Sequence, residues 1–253
     1  MSYTIAITGK GGVGKTTIAG LLVNRLIARG CRPVLAVDAD PNTCLDAVLG
    51  VAIRQTIGGV REQTRQLAAK GLSAGVSKQE LLELKISESL VEGADFDFLA
   101  MGRPEGPGCY CYANNVLKNA LAEIARNYPY LVLDNEAGLE NLSRRIVQKV
   151  DLLVMVADPS RRGLETVRRL HALAREMEIA FDRLAIVVNR LRQDGLPPEV
   201  AALRAETGAH FVLGLPDNAE AARLAERGGA MAELPADNEL VRLVDGFLNE
   251  VFD

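Results

Sequence analysis

The sequence predicts an α/β fold, a mostly parallel sheet with helices on both faces, in one domain spanning residues 1–253. Short apolar runs rich in β-branched residues alternate with longer segments of helical periodicity, the pattern that crossover units require. The length suits one large domain with an adequate core. A content of 48% hydrophobic and 25% charged residues excludes a disordered chain.

Taken in order, the first strand is read at "YTIAIT", ahead of a glycine-rich turn. "TTIAGLLVNRLIARG" then carries apolar residues at helical spacing and stops at Gly30, a natural C-terminal signal. The second strand is "PVLAVD". Residues 51–93 are less regular, with glycines scattered among "REQTRQLAAK" and "SKQELLELKIS", and are expected to form one or two surface helices inserted after that strand. Further strands are expected at "FDFLAM", "YLVLDN", "LLVMVAD", "LAIVVNR" and "HFVLGLP", joined by right-handed crossovers. The terminal "NELVRLVDGFLNEVFD" reads as an amphipathic helix whose polar positions are mostly acidic.

Charge narrows the classes of partner. With 29 basic and 33 acidic residues the net charge is −4, which gives no bulk attraction to nucleic acid or anionic lipid. No apolar run approaches the roughly 18 residues of a membrane span. The start of the chain shows neither a basic leader nor a cleavage site, so a cytoplasmic location is expected, without membrane or nucleic-acid partners. Cys31, Cys44, Cys109 and Cys111 are accordingly expected to be reduced, catalytic or metal-binding. His171 and His210 have no ligand-like spacing.

"GKGGVGKTT" fits G-x-x-x-x-G-K-T and lies between a predicted strand and a predicted helix, the context that gives this motif its mechanism. Gly9, Lys10, Gly11, Gly12, Val13, Gly14, Lys15, Thr16 and Thr17 are therefore candidate phosphate-binding residues of a P-loop NTPase. Lys15 would neutralise the β- and γ-phosphates, and Thr16 would coordinate magnesium. "VDADPN" places Asp38 and Asp40 on one side of the pleat, facing one pocket or capping the next helix. "YLVLDNEAG" is an apolar strand ending in Asp134, with Gly138 four residues on. Asn189, Pro216 and Asp217 end late strands, where a base would lie across the sheet's carboxyl edge. The run from Asn189 to Arg192 lacks the aspartate that reads guanine, so the expected nucleotide is ATP; a turn role for Asn189 stays open.

Cys109 and Cys111 stand two apart in "GPGCYCYANN", so in an extended segment both sulfurs face one side. Two thiols are half a metal site, and a two-fold axis would make them four. Four thiolates suit zinc, nickel or an iron–sulfur cluster. A redox-active pair and ordinary buried cysteines are the alternatives.

The second lysine of the loop, Lys10, makes "GKGGVGKTT" resemble the deviant P-loop of the MinD, ParA, ArsA and nitrogenase iron protein superfamily. That resemblance implies that Lys10 reaches a partner subunit's nucleotide, that Asp40 orients the attacking water, and that Asp38 supports the magnesium shell. It also implies Asp134 near magnesium and Gly138 swinging toward the γ-phosphate. Lys10, Lys15 and Asp40 would be the catalytic residues. Glu136 departs from the small or apolar residues usual at its position, and its role stays open.

With "DPNTCL", "GCYCYANN" and "DNEAGLENLSRR", essentially the whole chain is similar to the nickel-insertion ATPases of carbon monoxide dehydrogenase and acetyl-CoA synthase, the CooC and AcsF group. The resemblance implies a homodimer that uses ATP and Mg2+ and binds Ni2+ or Zn2+ between subunits through Cys109 and Cys111. Its client would be one of those two enzymes. Cys44 matches a family position in the short helix after Asp40, where a small buried residue is expected. Two other classes remain: an iron–sulfur electron donor, which in the nitrogenase protein spaces its cysteines far apart, and a partitioning ATPase, which needs a basic tail where this one is acidic. Arg144, Arg145, Arg161, Arg162, Arg168 and Arg169 form a basic stretch, read as solvated helix surface or as a docking face for an acidic enzyme.

Overall fold

The computed structural model describes residues 2–60, 78–102, 118, 121–139, 142 and 149–253. Its strands are β1 (Tyr3–Gly9), β2 (Val34–Asp38), β3 (Phe96–Ala100), β4 (Tyr130–Asp134), β5 (Val150–Ala157), β6 (Phe181–Leu191) and β7 (Phe211–Pro216). Described helices are α1 (Lys15–Ala28), α2 (Leu45–Leu49), α3 (Lys78–Glu88), α4 (Arg161–Glu176), α5 (Glu199–Thr207), α6 (Ala219–Glu226) and α7 (Glu239–Phe252). The strands form one sheet in the order β3-β2-β4-β1-β5-β6-β7, and every strand pair in it is parallel. The chain builds β2, β3 and β4 on one side of β1 and β5 to β7 on the other. The carboxyl end of β1 therefore lies where the winding reverses, the place at which open α/β sheets bind ligands.

Side-chain alternation along β1 divides the core in two. Ile5 and Ile7 face Ile18, Leu22 and Leu26 of α1 and Val244 and Leu248 of α7. Ala6 faces the opposite layer, with Leu164 and Val167 of α4 and Leu203 of α5. β1 is buried from Thr4 to Gly9, which is why "YTIAIT" reads as a near-continuous apolar run. Removing a fully buried side chain such as Leu22 costs about 2–5 kcal/mol by cavity formation.

Helix ends follow local rules. The Ser160 hydroxyl accepts from Gly163 N at 3.0 Å to open α4, and the Asn238 side chain accepts from Leu240 N at 2.9 Å to open α7. Within 51–93, α3 contributes Ile86 to the core, fully buried with Val60, so this part of the chain is more than surface decoration. No helix among the described residues is long and apolar enough to cross a membrane.

Candidate functional site

The glycine-rich turn links β1 to α1. Gly9 runs so close to β5 that a Cβ there would stand 2.4 Å from the Val156 carbonyl oxygen. Gly14 has φ 93°, and a Cβ on it would meet the Asn189 amide nitrogen at 2.4 Å. α1 then starts at Lys15 with no side-chain cap and no acidic residue in its first turn. Its first backbone N–H groups and positive dipole end are thus left for an anion. Lys15 is buried, and its Nζ donates to the Lys10 carbonyl oxygen at 3.3 Å. Lys10, Gly11 and Gly12 are exposed, Val13 is buried, and Thr16 and Thr17 are half-buried.

Two strand-end carboxylates lie beside that turn. Asp38 and Asp134 are register partners on β2 and β4, both essentially inaccessible. Asp38 is fully engaged: Oδ1 accepts from Asp40 N at 2.9 Å, and Oδ2 accepts from Cys44 N and Leu45 N, each at 2.8 Å. Burial nonetheless pushes its pKa up against those three hydrogen bonds. Its observed work is to cap α2 and shape the loop after β2. Asp134 differs, because its Oδ1 is buried with no hydrogen-bond partner. Burial raises its pKa to about 7; the Thr16 hydroxyl and Lys15 lower it, while Asp38 and Asp40 raise it further.

An orphaned buried carboxylate oxygen beside Thr16 and a cluster of acids is what a hard dication would satisfy. Mg2+ takes one or two protein carboxylates and otherwise waters and phosphate oxygens. Asp134 and Thr16 fit it. Among the described residues no group of three or more His, Cys, Asp or Glu is arranged to hold a metal by itself.

Asp40 is half-buried, and its Oδ1 accepts from Asn42 N at 2.8 Å and Asn42 Nδ2 at 3.0 Å. Gly138 has φ 108°, and its carbonyl oxygen accepts from the Thr8 hydroxyl, which ties the segment after β4 to β1. Asn135, absent from the sequence-level candidates, shares this region. Its Nδ2 donates to the Ile7 carbonyl oxygen at 2.9 Å, and its buried Oδ1 has no partner. A polar residue directly after an apolar strand was the only signal for it.

Asn189, at the end of β6, reaches the phosphate loop: its Nδ2 donates to the Val13 carbonyl oxygen at 2.8 Å. Pro216 and Asp217 end β7 one strand further out, where Asp217 N donates to the Leu191 carbonyl oxygen at 2.8 Å and Asp217 is exposed. Cys44 corrects its expectation. It is exposed and sits at the N-cap of α2, because the turn through Asp40 and Thr43 ends only there. Partial desolvation, then Asp38 and Asp40, raise the pKa of its thiol. Cys109, Cys111, Arg144 and Arg145 lie outside the described residues. His171 lies on α4, and His210 Nδ1 accepts from Leu184 N at 3.2 Å, a structural contact between β6 and β7.

The comparisons with known proteins agree with this geometry. Residues 2–184 match the AAA domain family. An ATP-binding protein of Methanocaldococcus jannaschii, itself uncharacterised, is 39% identical over 254 aligned residues, covering 98% of each chain. The carbon monoxide dehydrogenase accessory protein CooC of Rhodospirillum rubrum is 34% identical over 191 residues, 69% of this chain and 70% of that protein. Among solved structures, a ParA family ATPase from Chlorobium tepidum superposes with a TM-score of 0.71 at 18% identity, covering 97% of each chain, a likeness of fold. The chain belongs to the AAA domain family and is a P-loop ATPase.

Proposed function

We propose that this ATPase is a dimeric metallochaperone that binds Ni2+ or Zn2+ between two subunits and delivers nickel to carbon monoxide dehydrogenase or acetyl-CoA synthase. The observation that carries the reading is the Cys109-Tyr110-Cys111 sequence, in a chain 34% identical to a carbon monoxide dehydrogenase accessory protein. That pair occurs seven residues after Gly102, where β3 leaves the sheet at the same carboxyl edge as the phosphate loop.

In this reading the amides of Gly11 to Thr17 hold the ATP phosphates, with Lys15 moving from the Lys10 carbonyl onto the β- and γ-phosphates. Thr16 and Asp134 would hold Mg2+, which would supply charge neutralisation at the phosphates. Asp40 orients the attacking water, and Lys10 places its charge on the partner's nucleotide as the transition state gathers negative charge. Asn189 braces the loop through Val13 while its remaining amide atoms face the base. ATP favours one arrangement of the two subunits and hydrolysis releases it, so ATP and cargo metal alter each other's affinity by linkage.

Metal content and oligomeric mass, measured together on anaerobically purified wild type and Cys109→Ser/Cys111→Ser, test it. The expected result is one metal ion per two chains, lost in the variant along with part of the dimer. A metal-free wild type whose mass is insensitive to the substitution would remove the cargo site. Brown colour and visible absorbance would point instead to an iron–sulfur carrier.

A further inference from the structure

A groove of about 830 Å3 runs along α4 and reaches the phosphate loop. Lys10, Arg161, Arg162, Arg168 and Arg169 line it, against two carboxylates, Glu165 and Glu199. This basic surplus belongs to a chain of net charge −4. The sheet brings it together: Gly9 pairs with Val156, so Lys10 leaves β1 beside the point where β5 gives way to α4.

The charges are not used up by the fold. Arg168 is bound to Glu206 and, at 3.2 Å, to Glu165, and Arg169 lies 3.5 Å from Glu165. Lys10, Arg161 and Arg162 are exposed and pair with no described carboxylate. Arg161 and Arg162 also occupy the first turn of α4, which holds no acidic residue. Cations there oppose the helix dipole, so their placement works against helix stability and calls for another use.

We infer that this groove docks an acidic segment of a partner protein, with carboxylates seated on Arg161, Arg162 and Lys10. A peptide suits it better than a continuous polyanion. Glu165 and Glu199 would repel evenly spaced phosphates, whereas a mixed peptide can set a basic or neutral residue opposite each. A flat membrane cannot enter a concave groove. Because Lys10 lines the groove, a docked segment also draws that lysine away from the phosphates. This second effect rests on the role proposed above for Lys10; the docking itself does not, and neither needs a cargo metal.

The test is fluorescence anisotropy of a labelled peptide that alternates glutamate with glycine, with an oligothymidylate of equal length as the phosphate control, titrated with the protein at about 50 mM and about 200 mM salt. Arg161→Glu/Arg162→Glu is compared with Arg126→Glu/Arg223→Glu, which makes the same charge change away from the groove. Peptide affinity is expected to fall about tenfold or more in the groove variant and less than about twofold in the control, with the difference narrowing at high salt. Equal losses in both variants, or tighter binding of the oligothymidylate, would overturn the inference. So would a groove variant that alters the mass of the protein by sedimentation and leaves peptide binding intact, since the groove would then be a contact between copies of this chain. If the peptide binds as expected but does not slow ATP hydrolysis, the docking stands and the assignment of Lys10 falls.

Discussion

Asp134→Asn separates what the buried carboxylate does for folding from what it does for catalysis. Its folded pKa of about 7 lies about three units above the unfolded value near 3.9. The native state therefore holds its proton over a range in which the unfolded state has lost it, and stability falls as pH rises from about 4 to about 7. At about 1.4 kcal/mol per unit, the ionised side chain costs the ligand-free protein on the order of 4 kcal/mol above pH 7. Asparagine keeps the shape and an acceptor for Thr16 but carries no charge. In urea unfolding with EDTA and no nucleotide, Asp134→Asn is expected to exceed wild type by about 3 kcal/mol at about pH 8. That is a rise in Tm of roughly 6–12 °C for a chain of this size, and the gap should narrow as pH falls and close near about pH 4. Hydrolysis should be lost, and Mg2+ with ADP should stabilise wild type more than the variant. A variant less stable than wild type at pH 8 would refute the reasoning, because the orphaned oxygen would then be satisfied in the ligand-free protein.

Other consequences are as direct. Asn189→Ala removes the 2.8 Å bond to Val13 and should weaken ATP binding roughly fivefold, read by calorimetry, with unfolding stability lowered by about 1 kcal/mol. Gly14→Ala combines a left-handed backbone with a 2.4 Å collision and should abolish nucleotide binding in a folded protein, checked by circular dichroism beside the binding assay. Asp38→Ala strips the acceptor from three backbone N–H groups and should cost about 3 kcal/mol in urea unfolding, whereas Asp38→Asn, which keeps an acceptor, should cost visibly less. Lys10→Ala should leave ATP affinity within a few fold and lower kcat on the order of 10³, if the lysine acts on the partner's nucleotide.

The strands and the phosphate loop were legible because both are written locally. A buried parallel strand is an unbroken apolar run, and glycines at 9 and 14 answer to contacts and dihedral angles that few other residues tolerate. What escaped the sequence depends on distant pieces meeting. Asn189 and Val13 are 176 residues apart and touch only because the sheet sets β6 one strand beyond β5 from β1. Lys10 and Arg161 join one groove through the pairing of β1 with β5. Asp38 anchors the loop after β2 through three backbone amides, a matter of loop geometry that no spacing encodes. Cys44 was expected inside because it falls at the short helix after Asp40; α2 has only five residues and its N-cap is exposed.

The end of β2 is stitched on both sides. Ala39 N donates to the Asp134 carbonyl oxygen at 2.9 Å, and Met101 N donates to the Asp38 carbonyl oxygen at 2.8 Å. Those two bonds make a short relay across the sheet: the Asp134 backbone is two hydrogen bonds from Met101, the residue that follows β3. A shift of the Asp134 backbone would be felt at Met101, since close-packed interiors transmit strain. The chain then runs eight residues to Cys109. In the metallochaperone reading proposed above, coupling between nucleotide and cargo would draw on the stiffness of these three adjacent strand ends.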